Sequence, residues 1–250
     1  SRRRHTRCSR DWSSELCSSD LRVPDGADIV FHDGVRGDVR FARDVIGDPV
    51  IVRADGHPAY NFAVVIDDAL MRITHVIRGE DHISNTPRQL LLYEALGFAP
   101  PSFAHLSLVM GPDHSPLSKR HGATSVGEFR AKGYLPEALV NYLALIGWSP
   151  GHDDELLPVE ELARRFSIDD VGKSAGVFDE EKLAWANRHY LKVADPRRVA
   201  ELAVPFFQQA GVPMQPDDRG LAFLTGTMAM VTASVDRLNQ APGRLSFLFG

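Results

Sequence analysis

The sequence predicts an α/β chain in which a parallel-sheet unit gives way to a helical second half. Three observations carry this. Strand-like runs at residues 73–77 and 104–110 flank a helix that opens at Thr86-Pro87 and stops at Gly97, the order of a parallel βαβ unit. Residues 23–52 are short strands and turns, punctuated by Asp33-Gly34 and Asp55-Gly56. From Ser125 onward, stretches with helical starts and stops follow one another.

Residues 1–20 differ from everything after them. They are rich in Arg and Ser and contain a near-duplicate, Ser13-Ser14-Glu15-Leu16 and Ser18-Ser19-Asp20-Leu21. There is no apolar targeting core, and Asp11, Glu15 and Asp20 are wrong for a transit peptide. The composition reads as an adaptor-like or disordered leader over residues 1–21, set aside from the fold argument. Both cysteines, Cys8 and Cys17, lie in it, so the rest of the chain has neither a disulfide framework nor a cysteine-bound zinc.

The next elements follow in order. Ile29-Val30-Phe31, Val39-Arg40-Phe41 and Val50-Ile51-Val52 read as strands closing a β-rich unit. Residues 60–66 read as a buried strand, and His75 as a hydrogen-bonded histidine inside the next one. Thr86 is the expected N-cap of the following helix, with Pro87 at its first position. A single βαβ unit is too little for a doubly wound sheet, so further strands are expected from outside this chain. In the second half, Ser125 and Glu128 form a capping box and Gly133 ends that helix. Helices are expected at 136–146, 158–166 and 179–192. Another opens at Asp195-Pro196 and breaks at Pro205, and a final helical pattern spans 219–239.

Bulk properties bound the function. The 250 residues carry a net charge of −5, with 44% hydrophobic and 24% charged residues. That excludes a generally basic coat but not local contacts to a folded RNA. No apolar run is long enough to cross a membrane. There is no hydrolytic triad, no Walker-type loop and no histidine metal cluster, so the chemistry works by positioning and charge.

Two stretches could supply it. Pro116-Leu117-Ser118-Lys119-Arg120-His121-Gly122 sets adjacent cations on a loop bounded by proline and glycine, which suits phosphates. A solvated basic turn is the plain alternative. Arg78, Glu80, Asp81 and His82 lie between a strand end and a helix start, where open α/β sheets bind ligands. An arginine there can fork onto a carboxylate or phosphate. Glu80 or Asp81 can accept from a ribose hydroxyl or help hold Mg²⁺ through water, and His82 can donate to a phosphate. The alternative is an ion-pair cluster closing the strand. Tyr60, beside Asn61, reads as a half-buried packing residue. Asp67-Asp68 reads as a pair capping a turn rather than a metal site.

These stretches match a family. Residues 56–68 and Ile77-Arg78-Gly79-Glu80-Asp81-His82 resemble class I glutamyl-tRNA synthetases. So do Asn85-Thr86-Pro87-Arg88-Gln89, Leu117-Ser118-Lys119-Arg120, residues 133–139 and 141–148, Phe178-Asp179 and Lys182-Leu183. The likeness is collinear from Val23 to Gly250. It implies the second half of a Rossmann-like catalytic domain followed by an α-helical stem-contact and anticodon-binding region. Residues 22–62 would end the β-rich acceptor-binding insertion and 63–113 would complete the catalytic fold. Residues 114–194 would hold the KMSKS-type loop and stem-contact helices, and 195–250 would begin the anticodon-binding domain.

The resemblance also implies roles. Ser118, Lys119 and Arg120 would be the catalytic signature loop, with Lys119 on the ATP phosphates. Tyr60 and Arg78 would line the glutamate pocket, and Glu80, Asp81 and His82 would lie beside ATP and the tRNA acceptor end. The implied partners are ATP with Mg²⁺, L-glutamate and tRNA(Glu), in a cytoplasmic monomer without a protein-held metal or membrane contact. The family's N-terminal HIGH motif is missing from this sequence, so an internal fragment unable to activate glutamate alone is expected. The alternatives are a glutaminyl-type or related synthetase, and a non-catalytic tRNA-binding fragment using Arg164, Arg165, Lys173, Arg188, Arg197 and Arg198.

Overall fold

The computed structural model describes residues 6–10, 17–122, 125–151 and 155–249. These form two compact units. One comprises residues 1–108 with 171–173, the other 109–170 with 174–250.

The first unit contains two sheets. Strands β1 (Thr6–Arg10), β2 (Cys17–Leu21) and β5 (Val50–Val52) pair antiparallel in the order β1-β2-β5. Of the residues set aside on composition, 6–10 and 17–21 therefore hydrogen-bond into a sheet. In the second sheet β3 (Ile29–Asp33) and β4 (Gly37–Phe41) form a hairpin, and β6 (His75–Gly79) and β7 (Ser102–Leu106) complete the order β4-β3-β7-β6. β7 runs parallel to both neighbours. The expected βαβ unit is present, with α2 (Thr86–Leu96) as its crossover. Its sheet is widened by the hairpin, which the sequence reading had assigned to a separate β-rich unit. The period-2 pattern of β3 explains this: Ile29, Phe31 and Asp33 are buried while Val30 and His32 are exposed.

Residues 60–66 are not a strand. α1 (Tyr60–Leu70) begins there, because Phe62, Val65, Ile66 and Ala69 fall at helical spacing. Val65 is fully buried and packs with Phe62, Ala69, Leu92, Tyr93 and Phe103. The run of β-branched residues concealed that stripe. Asp67 and Asp68 consequently sit in the last turn of a helix, where their carbonyls accept from Met71 and Ile73. Burial pushes the Asp68 carboxyl up, and the charge of Arg78 opposes it. His75 is exposed rather than buried in a core, and its ring nitrogen Nδ1 lies 2.9 Å from the hydroxyl of its neighbour Thr74.

The second unit is helical: α3 (Val126–Lys132), α4 (Pro136–Gly147), α5 (Val159–Arg165), α6 (Glu180–Val193), α7 (Pro196–Gln209), α8 (Asp218–Val231) and α9 (Ala241–Arg244). The boundaries follow the capping residues. Ser125 accepts from Glu128 N–H while the Glu128 carboxylate accepts from Ser125 N–H. Asp179, Asp195 and Asp217 each accept from amides of the first turn after them. Gly97 and Gly133 end α2 and α3 in the left-handed region, at φ 75° and 87°.

Three expectations fail. α7 runs straight through Pro205, which is exposed, while Ala203, Val204 and Phe207 stay buried on the opposite stripe. Continuous packing outweighs the ~3 kcal/mol cost of the proline. The pattern at 219–239 breaks after Val231, whose carbonyl accepts from the Ser234 hydroxyl. Residues 104–110 are likewise not one strand: β7 ends at Leu106, and Met110 bridges to Val177 and Pro116 instead.

Candidate functional site

In the first unit, the polar residues converge at the carboxyl ends of β6 and β7. Arg78 and His105 are register partners across these parallel strands. Arg78 Nε donates to His105 Nε2 at 3.1 Å, and Nη2 donates to Thr86 Oγ1 and Gln89 Oε1, both at 2.9 Å. The guanidinium also lies over the Phe103 ring, 5.6 Å from its centroid. Gln89 in turn donates to Asn61 Oδ1 at 3.0 Å. Nη1 is the one guanidinium nitrogen with no hydrogen bond among the described residues.

Behind His105 stands Asp33, at the end of β3. Its Oδ2 lies 2.5 Å from His105 Nδ1, and Oδ1 accepts from the amides of Val35, Arg36 and His105. Asp33, His105, Thr86 and Gln89 are all buried. Because a guanidinium can only donate, His105 Nε2 must accept, so the ring carries its proton on Nδ1 and gives it to Asp33. The electrostatics agree. Burial holds His105 below its ordinary value despite the pull of Asp33. Burial alone would raise Asp33, but the Arg36 amide and the bonds from His105 outweigh it and keep the carboxyl low. The pair is a carboxylate and a neutral imidazole.

Glu80 is already committed. Its Oε2 pairs with Arg36 Nη2 at 2.7 Å, and Oε1 accepts from Leu108 N–H. Arg36 also donates to the carbonyls of His105 and Lys173 and to Ser107 Oγ. Glu80 thus ties the end of β6 to the residues after β7. Asp81 and His82 form a looser pair at 3.7 Å, both half-exposed. Tyr60 is exposed rather than half-buried, with its ring 6.3 Å from that of His82. Thr86 does not cap α2; it lies inside the first turn and its hydroxyl serves Arg78.

The signature loop lies in the second unit as a 3₁₀ turn, Lys119–His121, entered from Ser118. Ser118 N–H donates to His121 Nδ1 at 3.0 Å, so Nε2 bears the ring proton and gives it to Asp113 Oδ1 at 3.2 Å. Arg120 Nε, also near Nε2, lies alongside it without a hydrogen bond; its Nη2 donates to Ser115 and pairs with Asp113. The Ser115 hydroxyl and amide, with His121, hold the Asp113 carboxyl well below the usual range. Gly111 makes room for the ring, since a Cβ there would lie 2.9 Å from it. Lys119 is exposed, and its ammonium has no partner among the described residues.

Sequence reasoning missed Asp33, His105, Thr86 and Gln89 as site residues. His105 had a signal, since it is the polar residue of a buried strand, the argument applied instead to His75. The basic set of the RNA-binding alternative is largely neutralised. Arg164 and Arg165 pair with Glu161, Arg188 with Asp236, Arg197 with Glu201 and Asp218, and Arg198 with Glu137.

Comparison with known proteins gives a consistent set of relatives. Residues 8–185 match the family described as tRNA synthetases class I (E and Q), catalytic domain. The glutamate--tRNA ligase of Carboxydothermus hydrogenoformans is 52% identical over 230 residues, 92% of this chain and 48% of that protein. That of Heliobacterium modesticaldum is 57% identical over 202 residues, 81% of this chain and 41% of that protein. A crystal structure of a glutamate tRNA ligase from Elizabethkingia meningosepticum, in complex with its amino acid, matches with a TM-score of 0.77 at 30% identity. It is matched over 93% of this chain and 49% of that one. The chain spans about half the length of the curated relatives it matches.

Proposed function

The chain belongs to the class I tRNA synthetases of the E and Q type, and from that premise we propose that it serves the ATP-dependent attachment of L-glutamate to tRNA(Glu). In this reaction the glutamate α-carboxylate attacks the α-phosphorus of ATP, releasing pyrophosphate and leaving glutamyl-adenylate. A terminal ribose hydroxyl of the tRNA then takes the glutamyl group and releases AMP. No enzyme nucleophile is needed; the protein orients the reactants and matches their charge.

The observation that carries the reading is Arg78. It is a guanidinium fixed on two of its nitrogens, with Nη1 left to donate at the sheet edge where such folds bind ligands. It receives the side-chain carboxylate of glutamate, with Tyr60 beside it. Lys119, whose ammonium has no partner among the described residues, takes ATP phosphate oxygens, while Ser118 and Arg120 shape the turn that presents it. Asp81 and His82 face the ribose of ATP or the acceptor end of tRNA. Glu80 acts as a strut.

Mg²⁺ accompanies ATP in this chemistry, but the described residues bring together no group of three metal-ligating side chains. Glu80 has both oxygens engaged. These carboxylates do not fit a protein-held ion, and the roles above rest on the chain's own side chains. The second unit supplies stem-contact helices up to residue 194 and the start of an anticodon-binding region after it. No helix among the described residues is long and apolar enough to cross a membrane. Protein synthesis places the chain in the cytoplasm, and each site lies within one copy.

The test is ligand titration of the chain carrying labelled Arg and Lys, followed by NMR. L-Glutamate is expected to shift the Arg78 Nε–H signal and L-glutamine to leave it in place, while ATP shifts the Lys119 side-chain signal. Equal responses to the two amino acids, or none to glutamate, would sink the assignment.

A further inference from the structure

Arg78 is held by a relay that crosses three strands. Asp33 ends β3, His105 lies on β7 and Arg78 on β6, and the hydrogen bonds between them run perpendicular to the strands. Each link has a direction. The carboxylate accepts, the imidazole donates from Nδ1 and accepts at Nε2, and the guanidinium donates. Thr86 completes the junction: its hydroxyl oxygen accepts from Arg78 Nη2 and lies 3.2 Å from His105 Nε2, whose single lone pair accepts from Arg78 Nε. His105 and Thr86 are fully buried and Asp33 nearly so, so water does not compete for any of these bonds.

Such an arrangement does more than fill space. An arginine side chain has several rotatable bonds, and a half-buried one pays for every rotamer it gives up on binding. Arg78 has paid before the ligand arrives. The relay also depends on charge. Were His105 protonated on Nε2, two N–H groups would face each other and Arg78 would lose that anchor. Asp33 prevents this by fixing the proton on Nδ1. An apolar residue of the same volume at 105 would fill the space but lack this control, and one at 33 would also orphan the amides of Val35, Arg36 and His105.

We propose that Asp33 and His105 are positioning residues for substrate recognition. Through the neutral Nδ1–H tautomer of His105 they hold the Arg78 guanidinium in the orientation in which Nη1 meets a carboxylate. The inference rests on the assignment of Arg78 to the glutamate carboxylate, and the experiment separates the two.

Histidine ¹⁵N spectra of the unaltered chain give the tautomer directly. His105 is expected as Nδ1–H and neutral down to mildly acidic pH; an Nε2–H ring, or one titrating like a free histidine, overturns the proposal without any variant. Asp33→Asn keeps the shape and the amide-accepting oxygen but turns a donor toward the ring. It should flip His105 to Nε2–H, broaden the Arg78 Nε–H signal and weaken glutamate binding by about tenfold or more. If the tautomer flips and binding is unchanged, the positioning role is wrong. His105→Gln, which still accepts from Arg78 but cannot donate to Asp33 in the same way, should fall between, and it is the fallback if Asp33→Asn does not fold. Should the unaltered chain fail to bind glutamate, the carboxylate assignment falls. The relay is then judged on Arg78 Nε–H alone: loss of its slow exchange in Asp33→Asn supports it, and persistence overturns it.

Discussion

Gly97 and Gly133 end successive helices in nearly the same backbone conformation, φ 75° and ψ 23° against φ 87° and ψ 29°. Alanine at either must adopt the left-handed region, which costs about 1–2 kcal/mol. Fewer unfolded conformers return roughly 0.4–1 kcal/mol. For Gly97→Ala nothing else changes, since no atom lies within 4 Å of the added methyl. A net loss of about 1 kcal/mol is expected. At Gly133 the methyl would lie 2.6 Å from Leu238 N, 2.8 Å from Asn239 N and 2.9 Å from Leu238 Cβ. These are mostly backbone atoms and cannot swing away. The Leu238 turn must shift, stretching its N–H bond to the Gly133 carbonyl, now 3.0 Å, and disturbing a leucine only 2% exposed. The hydrogen bond is worth about 1 kcal/mol, and overpacking adds about 1–3 kcal/mol. Gly133→Ala should therefore cost about 3–5 kcal/mol. Native-state amide exchange reads each helix separately, through the protected amides of α2 for Gly97 and of α3 for Gly133. Equal losses at the two sites would show that Gly133 serves only its dihedral angle, and the packing argument would fail.

Two further outcomes are expected. Tyr93 is 2% exposed, its hydroxyl has no hydrogen-bond partner among the described residues, and burial pushes its pKa up to about 12. Tyr93→Phe should therefore leave stability unchanged or raise it by up to about 1 kcal/mol, measured by urea unfolding; a loss above about 1 kcal/mol would reveal a partner for the hydroxyl. Glu137 is held below its ordinary value of 4.5 chiefly by Arg198, with burial opposing. A depressed carboxyl stabilises the fold above its unfolded pKa and loses that contribution as pH falls through the folded one. Urea midpoints should thus decline from about pH 5 downward. The decline should be shallower in Glu137→Gln, and parallel curves would refute the linkage.

The two glycines also show what the sequence could convey. Both were legible as helix stops because local geometry leaves a local signature. The contact of Gly133 with Leu238 was not, since it depends on which distant segment the chain returns to. The same division runs through the site. Arg78 and Lys119 stood out as cations at a strand end and on a bounded loop. Asp33 was legible as a turn residue, and its Oδ1 does serve the turn, but its Oδ2 reaches a histidine on a strand far along the chain. The hairpin of β3 and β4 was visible as strands, yet its place in the same sheet as β6 and β7 was not, because strand order is a tertiary choice. α1 was misread for another reason: the consecutive β-branched residues Val64, Val65 and Ile66 suit a strand over so short a run, and the helical stripe through Phe62, Val65 and Ala69 emerges only beyond it.

The commitment of Glu80 has a consequence for the field a polyanion meets. From composition, the end of β6 presents two adjacent carboxylates, an unfavourable place to bring a nucleotide triphosphate. In the folded chain the charge of Glu80 is cancelled at 2.7 Å by Arg36. Asp81 is left as the unneutralised acid, with His82 3.7 Å away and able to offset it when protonated. The local repulsion is roughly halved before any ligand arrives, while the backbone keeps the tie between strands that Glu80 supplies. Arg36, three residues past the end of β3, thereby lowers the negative potential at an anion-binding edge. Its replacement by a neutral residue would be felt first as weaker, more salt-sensitive nucleotide affinity rather than as altered amino-acid selectivity.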